Sequence, residues 1–455
     1  MSTLDQLIAR EVLDSRGHPT LEVEVRTSSG ARGRAGAATG GSVGRHEARE
    51  LRDREPRRHG GRGVRKAVAL VAAEVAPALR GLDLADQRGL DEALIALDAT
   101  ADRSRLGANT TLAVSLAAAR AVACDRDVPL YAHLGRLWGE HLPAGHAVVP
   151  SLPLPMAHMI SGAGRHGRTL DFQDILMVPV GARDFAEALA MVVAVHHALG
   201  TILHHHGHES HLVGEHGGYG PRLRSDAQAV DHLLAAVLAA GMEVGRDVAV
   251  ALDVAAAQLL DADATTYNLA VGREAHDADA MIAMLEHWTR QYPIVSIEDG
   301  LGDDDWDGWA ALTARLGGRI QVAGDDLFAS QADRIGRAGW PRPANAVVIK
   351  PGQVGTLTQT LEAMAEARRQ GHRLIIAARA GETEDTTLAD LAVATGAEQV
   401  KLGGVSRAER VVKYNRLLRI EEELGAYPRF AGGDALAPRG DAVDGHPGPD
   451  GALGL

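Results

Sequence analysis

The chain has 455 residues, 47 Lys+Arg against 60 Asp+Glu, a formal net charge of −13 and a single cysteine. That length suits either one large α/β barrel with a smaller companion domain or two ordinary domains, and the patterns below favour the first. The acidic balance argues against a general nucleic-acid or anionic-membrane binder, and a lone Cys124 cannot close an internal disulfide, so nothing points to an oxidising compartment.

The first residues, Met-Ser-Thr-Leu-Asp-Gln, carry neither a basic region nor an apolar one, and no stretch reaches about 18 uninterrupted apolar residues, so a cytoplasmic protein is expected. Thr20-Leu-Glu-Val-Glu-Val-Arg alternates as a half-buried strand does and runs into the turn signal Ser-Ser-Gly, which predicts an antiparallel sheet at the start. From Gly63 to Leu134, Ala, Leu and Val recur at helical spacing, notably over Lys66–Leu79 and Thr111–Cys124. Cys124 is expected there as core filler. Strand and helices together predict a small α+β domain over 1–138, and Val149-Pro-Ser-Leu-Pro-Leu-Pro marks a boundary.

Short apolar runs then alternate with helical stretches: Val248–Asp253, Ile294–Asp299, Ile320–Asp326, Val347–Lys350, Leu374–Arg379 and Val400–Lys401. Buried parallel strands have this character, and so many βα units imply a (β/α) barrel, here over 147–430. Residues 431–455 are rich in Gly, Pro and Asp and read as a disordered tail.

Each of the apolar runs delivers a charged residue, so Asp253, Glu298, Asp325, Lys350, Arg379 and Lys401 are expected to converge on one rim. Four of the basic residues are lysine (Lys66, Lys350, Lys401 and Lys413) and the other 43 are arginine. Arginine stays charged, whereas a buried lysine can be tuned to take up a proton, so Lys350 and Lys401 are candidates for chemistry. Asp253, Glu298 and Asp325 supply the hard oxygen ligands that Mg²⁺ prefers. A divalent cation and a protonated lysine stabilise a carboxylate as it becomes an enediolate, while the other lysine removes the α-proton.

Several longer segments, Arg10-Glu-Val-Leu-Asp-Ser-Arg-Gly-His-Pro-Thr, His46-Glu-Ala-Arg-Glu-Leu-Arg-Asp, Ser296-Ile-Glu-Asp, Gly381-Glu-Thr-Glu-Asp-Thr and the run from Lys413 to Gly425, resemble enolase. The resemblance extends from about Ile8 to Gly425. It implies an N-terminal α+β capping domain, an enolase-type (β/α)8 barrel, and a homodimer or higher homo-oligomer. By resemblance Asp253, Glu298 and Asp325 are the metal ligands, Lys350 the base and Lys401 the holder of the substrate carboxylate. Asp326 then lies beside the lysine pair, Gln173 near substrate, Arg379 on the phosphate, and Ser42 on the mobile loop Gly40-Gly-Ser-Val-Gly.

Other positions depart from the family pattern. His216 replaces a glutamate that helps the 3-hydroxyl leave, and the partner glutamate is Asp174. Arg165, with His166 beside it, replaces a substrate-facing histidine, and Ala377-Ala-Arg-Ala replaces a Ser-His-Arg-Ser run. The groups for metal, carboxylate and α-proton remain, while those for the 3-hydroxyl and the phosphoryl end are rewritten. An active enzyme with altered leaving-group or phosphoryl handling is expected, acting on a phospho- or phosphono-carboxylate. It resembles the carboxyphosphonoenolpyruvate synthases of phosphonate antibiotic pathways, with nucleotide-activated phosphonoformate as a candidate co-substrate. His216 would be its acid or base, and Arg165 would neutralise added charge. The alternatives are an ordinary enolase and a non-catalytic enolase-like binding protein.

Remaining features read as structural. The run His204-His-His-Gly-His-Glu-Ser-His lacks spacing that makes a tetrahedral zinc site. Gly36–Gly44 lacks the lysine of a P-loop. Asp303-Asp-Asp precedes a helix it would cap. Lys66 and Lys413 lie in helical segments away from the strand ends.

Overall fold

The computed structural model describes residues 2–41, 44–143, 149–162, 169–337, 339, 341–426 and 428–436. Its N-terminal part is an antiparallel sheet of β1 (Leu4–Leu13), β2 (Pro19–Thr27) and β3 (Arg32–Gly36). Helix α1 (Ala108–Asp125) packs across β2 and β3. Leu21, Val23 and Val25 form the buried face that the alternation predicts. Gly33 permits the close approach, because a Cβ there would lie 2.1 Å from the Ala117 carbonyl oxygen. Cys124 proves exposed rather than core filler, since it falls on the solvent face in the last turn of this otherwise largely buried helix.

The second part is a closed eight-stranded barrel. In chain order its strands are β4 (Leu154–Ser161), β5 (Asp174–Val178), β6 (Ala249–Asp253), β7 (Ile294–Glu298), β8 (Gln321–Gly324), β9 (Ala346–Ile349), β10 (Arg373–Ala377) and β11 (Gln399–Gly403). The run is not uniformly βα. Among the described residues no crossover helix separates β4 from β5, and β5 runs antiparallel to both of its neighbours while the other adjacent pairs are parallel. This reversal matters for function. It brings the start of β5, not its end, to the rim, and Asp174 pairs in register with Asp253 on one side and Ser161 on the other.

Helices wrap the outside of the barrel. Helix α2 (Phe185–His205) is long and apolar enough to cross a membrane by length and composition, yet here it packs on β4 and on a following helix, Asp226–Ala239. The barrel interior is filled by Leu154, Met156, Leu176, Val178, Ile375 and their neighbours, a packed core rather than a pore. Its floor corrects the expected tail boundary. Residues 431–436 include a 3₁₀ turn, Gly432–Ala435, and bury Ala435 and Leu436 against that core. There the Ala435 carbonyl accepts a bond from the Gln399 amide at 3.2 Å. Ala and Leu at those two positions supply the apolar surface that composition averaged over the whole segment conceals.

Candidate active site

Within a parallel barrel the strand ends open on one face, and there the chain bunches its charges. Lys401 Nζ donates to Asp253 Oδ2 at 2.6 Å and to Glu298 Oε1 at 2.7 Å, tying β11 to β6 and β7. Lys350 forms a short ion pair with Asp325, whose other oxygen accepts from Gln353 at 3.0 Å. Gln173 donates to Asp253 Oδ2 at 3.0 Å and is itself held by Gln258 at 2.9 Å. Asp299, with a left-handed φ of 47°, accepts the backbone N–H groups of Asp325 and Asp326 at 2.9 and 3.0 Å. Such backbone strain persists only where surrounding bonds over-determine it, and here two bonds to the Asp299 carboxylate do so.

The electrostatics follow from crowding. Burial, with Asp253 alongside, raises the Glu298 pKa to about 8. Burial and the Asp325 charge raise Asp326 to about 7, and Asp299 is pushed well above the ordinary range by burial and by Asp326. Burial opposes the charged form of Asp325 too, but Lys350 and Lys401 hold its pKa below the ordinary value. Burial likewise opposes charge on both lysines, and the surrounding carboxylates overcome it, keeping their pKa values raised.

The carboxylate set fits a divalent cation. Asp253, Glu298, Asp299, Asp325 and Asp326 crowd around Lys350 and Lys401, and among the described residues the buried Glu298 Oε2 oxygen has no hydrogen-bond partner. Glu298, Asp299 and Asp325 bring ligand atoms within 4.8 Å of one another. Because both Asp299 oxygens already serve the backbone, Asp253 is the better third ligand, joined to Glu298 through Lys401.

Beside this network lies a second one. His216 Nδ1 pairs with Asp174 Oδ2 at 2.7 Å, and Ser161 Oγ donates to Asp174 Oδ1 at 2.6 Å. His158 packs edge-on to His216 with ring centroids 5.1 Å apart, and its Nε2 is 3.7 Å from Asp174 Oδ2. Burial holds His158 neutral, far below the ordinary histidine pKa. Burial disfavours the Asp174 carboxylate, but His216 and the hydrogen bonds from His216 and Ser161 keep its pKa below the usual value. Asp174 therefore stays behind His216, which lines the cavity while Asp174 does not.

Arg379, at the end of β10, is buried and ion-paired with Glu47 from the N-terminal domain. Arg410 donates to the carbonyls of Arg379 and Ala380, both at 2.8 Å, and Glu382 accepts the Arg379 N–H at 2.8 Å. The Asp14-Ser-Arg-Gly turn anchors the loop above. Asp14 accepts from the N–H groups of Arg16 and His18, and Arg16 donates to Gly40 O at 2.8 Å and to Glu215 at 3.4 Å. Thr39 and Gly381 exchange backbone bonds at 2.8 and 2.9 Å, joining the domains.

These groups border one cavity of about 1050 Å³. Gln173, His216, Asp253, Asp325, Asp326, Lys350, Arg379 and Lys401 line it, with Asp174 and Glu298 directly behind. Ala378 and Ala380 also line it, as short side chains beside Arg379. Ser42, Arg165 and His166 lie outside the described residues. Among the described residues the His204–His211 run forms no metal-ligating group; the His206 ring lies tilted and the His208 ring edge-on against His232. Asp305 caps the following helix through the Gly308 N–H at 2.9 Å. Sequence reasoning missed Asp299, Gln353, His158 and Ser161. The signal for the last two was a histidine and a serine inside an otherwise apolar strand.

A capped barrel whose rim gathers carboxylates and two lysines is the architecture of an enzyme site with acidic groups that could bind a metal. Family models agree with that reading. The enolase N-terminal domain matches residues 4–134 and the enolase C-terminal TIM barrel domain matches residues 149–439. The chain belongs to the enolase family, a family generally dependent on Mg²⁺.

Proposed function

We propose that this enzyme forms an enediolate from a 2-phosphoglycerate-like acid and then handles the leaving or phosphoryl group in its own way, as a carboxyphosphonoenolpyruvate synthase of phosphonate natural-product biosynthesis would. One observation carries the proposal: Asp253, Glu298, Asp325, Lys350 and Lys401 gather on one side of the cavity, while beside them half-buried His216 joins buried Asp174, Ser161 and His158. Loss of function would not leave the histidine that replaces one glutamate tied into a hydrogen-bonded set with Asp174 and Ser161.

Asp253, Glu298 and Asp325 would hold Mg²⁺, which supplies positive charge to the carboxylate as the enediolate develops. Lys350 must first give up the proton that Asp325 helps it hold; its free amine then takes the α-proton, the C–H electron pair moving into the carboxylate-conjugated double bond. Lys401, as ammonium, holds that carboxylate. Its charge costs nothing to reorganise, because Asp253 and Glu298 fix it in advance. Asp174 fixes His216 through Nδ1, leaving Nε2 to carry a proton at the 3-position. Arg379 receives the phosphoryl or phosphonyl end, and the methyl groups of Ala378 and Ala380 leave room for a larger one there.

The test gives purified protein Mg²⁺ and 2-phosphoglycerate, and follows both deuterium exchange at the α-carbon and phosphoenolpyruvate release. Exchange with little release is expected. Adding nucleotide-activated phosphonoformate should generate a new phosphorus species by NMR. Release at an ordinary enolase rate identifies a standard enolase instead, and absence of exchange identifies a binder.

A further inference from the structure

Beside the carboxylate rim, side chains from separate segments converge. His158 comes from β4, Asp174 from the first position of β5, and His216 from the loop after α2. One ligand atom of each lies within 4.8 Å of the other two. Asp174 Oδ2 is the hub, 2.7 Å from His216 Nδ1 and 3.7 Å from His158 Nε2. Two imidazoles and a carboxylate are a donor set that Zn²⁺ takes in sites with an open coordination position, and at ordinary Zn–N and Zn–O lengths such donors stand ~3.3 Å apart. The separations of 2.7 and 3.7 Å bracket that value. Mg²⁺ prefers hard oxygens, as on the carboxylate rim, whereas imidazole suits zinc and its neighbours.

His158 supplies an independent observation. It is 2% exposed, and among the described residues neither ring nitrogen has a hydrogen-bond partner. Buried polar atoms are nearly always satisfied, and an exception asks for an ion or a water. Asp174 at 3.7 Å is beyond hydrogen-bond reach of Nε2, but a cation seated against Asp174 and His216 would meet that atom. Burial keeps the ring neutral, the form that ligates.

The other two ligands are held from behind. Ser161 Oγ donates to Asp174 Oδ1 at 2.6 Å, orienting the carboxylate. The His216 carbonyl accepts the Gly404 N–H at 2.8 Å, and Arg410 donates to the Glu215 carbonyl at 3.0 Å. Gly403, at a φ of 110°, permits this approach, since a Cβ there would lie 2.6 Å from the His216 carbonyl oxygen. His158 and His216 both line the cavity.

We infer that His158, Asp174 and His216 form a second metal site, distinct from Asp253, Glu298 and Asp325, which takes a borderline divalent cation of the Zn²⁺ type and leaves one coordination position open to the cavity. Binding through Nδ1 keeps the His216 proton on Nε2, where the proposed reaction uses it. The site goes beyond that reaction, and its test uses no substrate, so either can fail without the other.

Full-length protein is stripped with a chelator, dialysed into excess Mg²⁺ and titrated with Zn²⁺ or Co²⁺, the bound metal being counted by elemental analysis. The parent should take up about one equivalent of Zn²⁺ per chain more than His158→Ala or His216→Ala. Its Co²⁺ complex should show the strong visible bands of a four-coordinate site with nitrogen ligands, lost in both variants. Ser161→Ala, which keeps all three ligands, should weaken binding about 10–100-fold. Retained Mg²⁺ binding shows that each variant is folded. Equal uptake by the parent and both variants overturns the inference, because the metal then sits on the carboxylate rim or on the exposed histidines of the 204–211 run. If the variants lose Mg²⁺ binding as well, the parent's Co²⁺ spectrum decides, and the weak bands of a six-coordinate, all-oxygen site overturn the inference.

Discussion

Asp174→Asn separates the two halves of the chemistry. The substitution keeps shape but removes the charge that faces His216 Nδ1 at 2.7 Å. A hydrogen bond to an ionised partner is worth ~1.5–3 kcal/mol, and its loss alone slows the proton transfer at the 3-position by about tenfold to 150-fold. If the asparagine amide also donates to Nδ1, the ring tautomer inverts, and the loss reaches the 10²–10⁴-fold range of a complete acid–base contribution. Lys350 and Lys401 are untouched, since their bonds run to Asp325, Asp253 and Glu298. The assay follows deuterium entry at the α-carbon of 2-phosphoglycerate by NMR beside formation of the new phosphorus species from added nucleotide-activated phosphonoformate. Exchange should stay within about threefold of the parent while product formation falls by about 10²-fold. Equal losses in both, or a loss in neither, would refute the assignment of His216 to the later step.

Other outcomes follow from the same network and from the core. Lys350→Ala should abolish α-carbon exchange by about 10³-fold while the protein stays folded, checked by exchange NMR and thermal unfolding. Lys413→Met leaves Glu382 charged and buried without its partner at 3.0 Å, and should lower unfolding free energy by ~3–5 kcal/mol in denaturant titration. Asp226 is buried, and desolvation, with Asp171 nearby, raises its pKa to about 6 from an ordinary 3.8. A raised folded pKa means its contribution is full below about pH 3.8 and is lost as pH climbs through 6, a swing of ~3 kcal/mol. Asp226→Asn can keep the acceptor for Phe172 N–H, so its stability should fall less than the parent's between pH 4 and pH 7. An identical pH dependence in both proteins counts against the buried charge.

Barrel strands that end in a charged residue were legible in sequence because burial writes them as apolar runs and function marks their ends. The strands β4 and β5 were not legible that way. β4 begins near prolines that read as a boundary, and β5 is reversed, so Asp174 precedes its apolar run instead of following it. Asp174 and Gln173 entered only through family resemblance, and the turn of β5 explains why they reach the rim. His158 escaped because one histidine in an apolar strand is more often a core residue, and only three dimensions show His216 5.1 Å away. Residues 431–436 were hidden by averaging, since two buried side chains do not alter the composition of a long polar segment.

The scarcity of lysine gains a fuller explanation from the structure. Lys350 and Lys401 face the same carboxylate cluster, and Lys66 stands on the outer wall of the same cavity. Lys413 is fully buried and meets three acceptors, Glu382 Oε2 at 3.0 Å, Thr383 O at 3.0 Å and Glu409 O at 2.8 Å. An ammonium has three donors on one nitrogen, and a planar guanidinium cannot aim five at that point. Glu382 in turn fixes the Arg379 backbone at 2.8 Å. Lysine is thus found at Lys350, where the proposed reaction needs a base, and at Lys413, where three acceptors converge. Through Glu382, the second of these holds in place Arg379 on the cavity wall, the arginine that the proposed function puts on the phosphoryl or phosphonyl end.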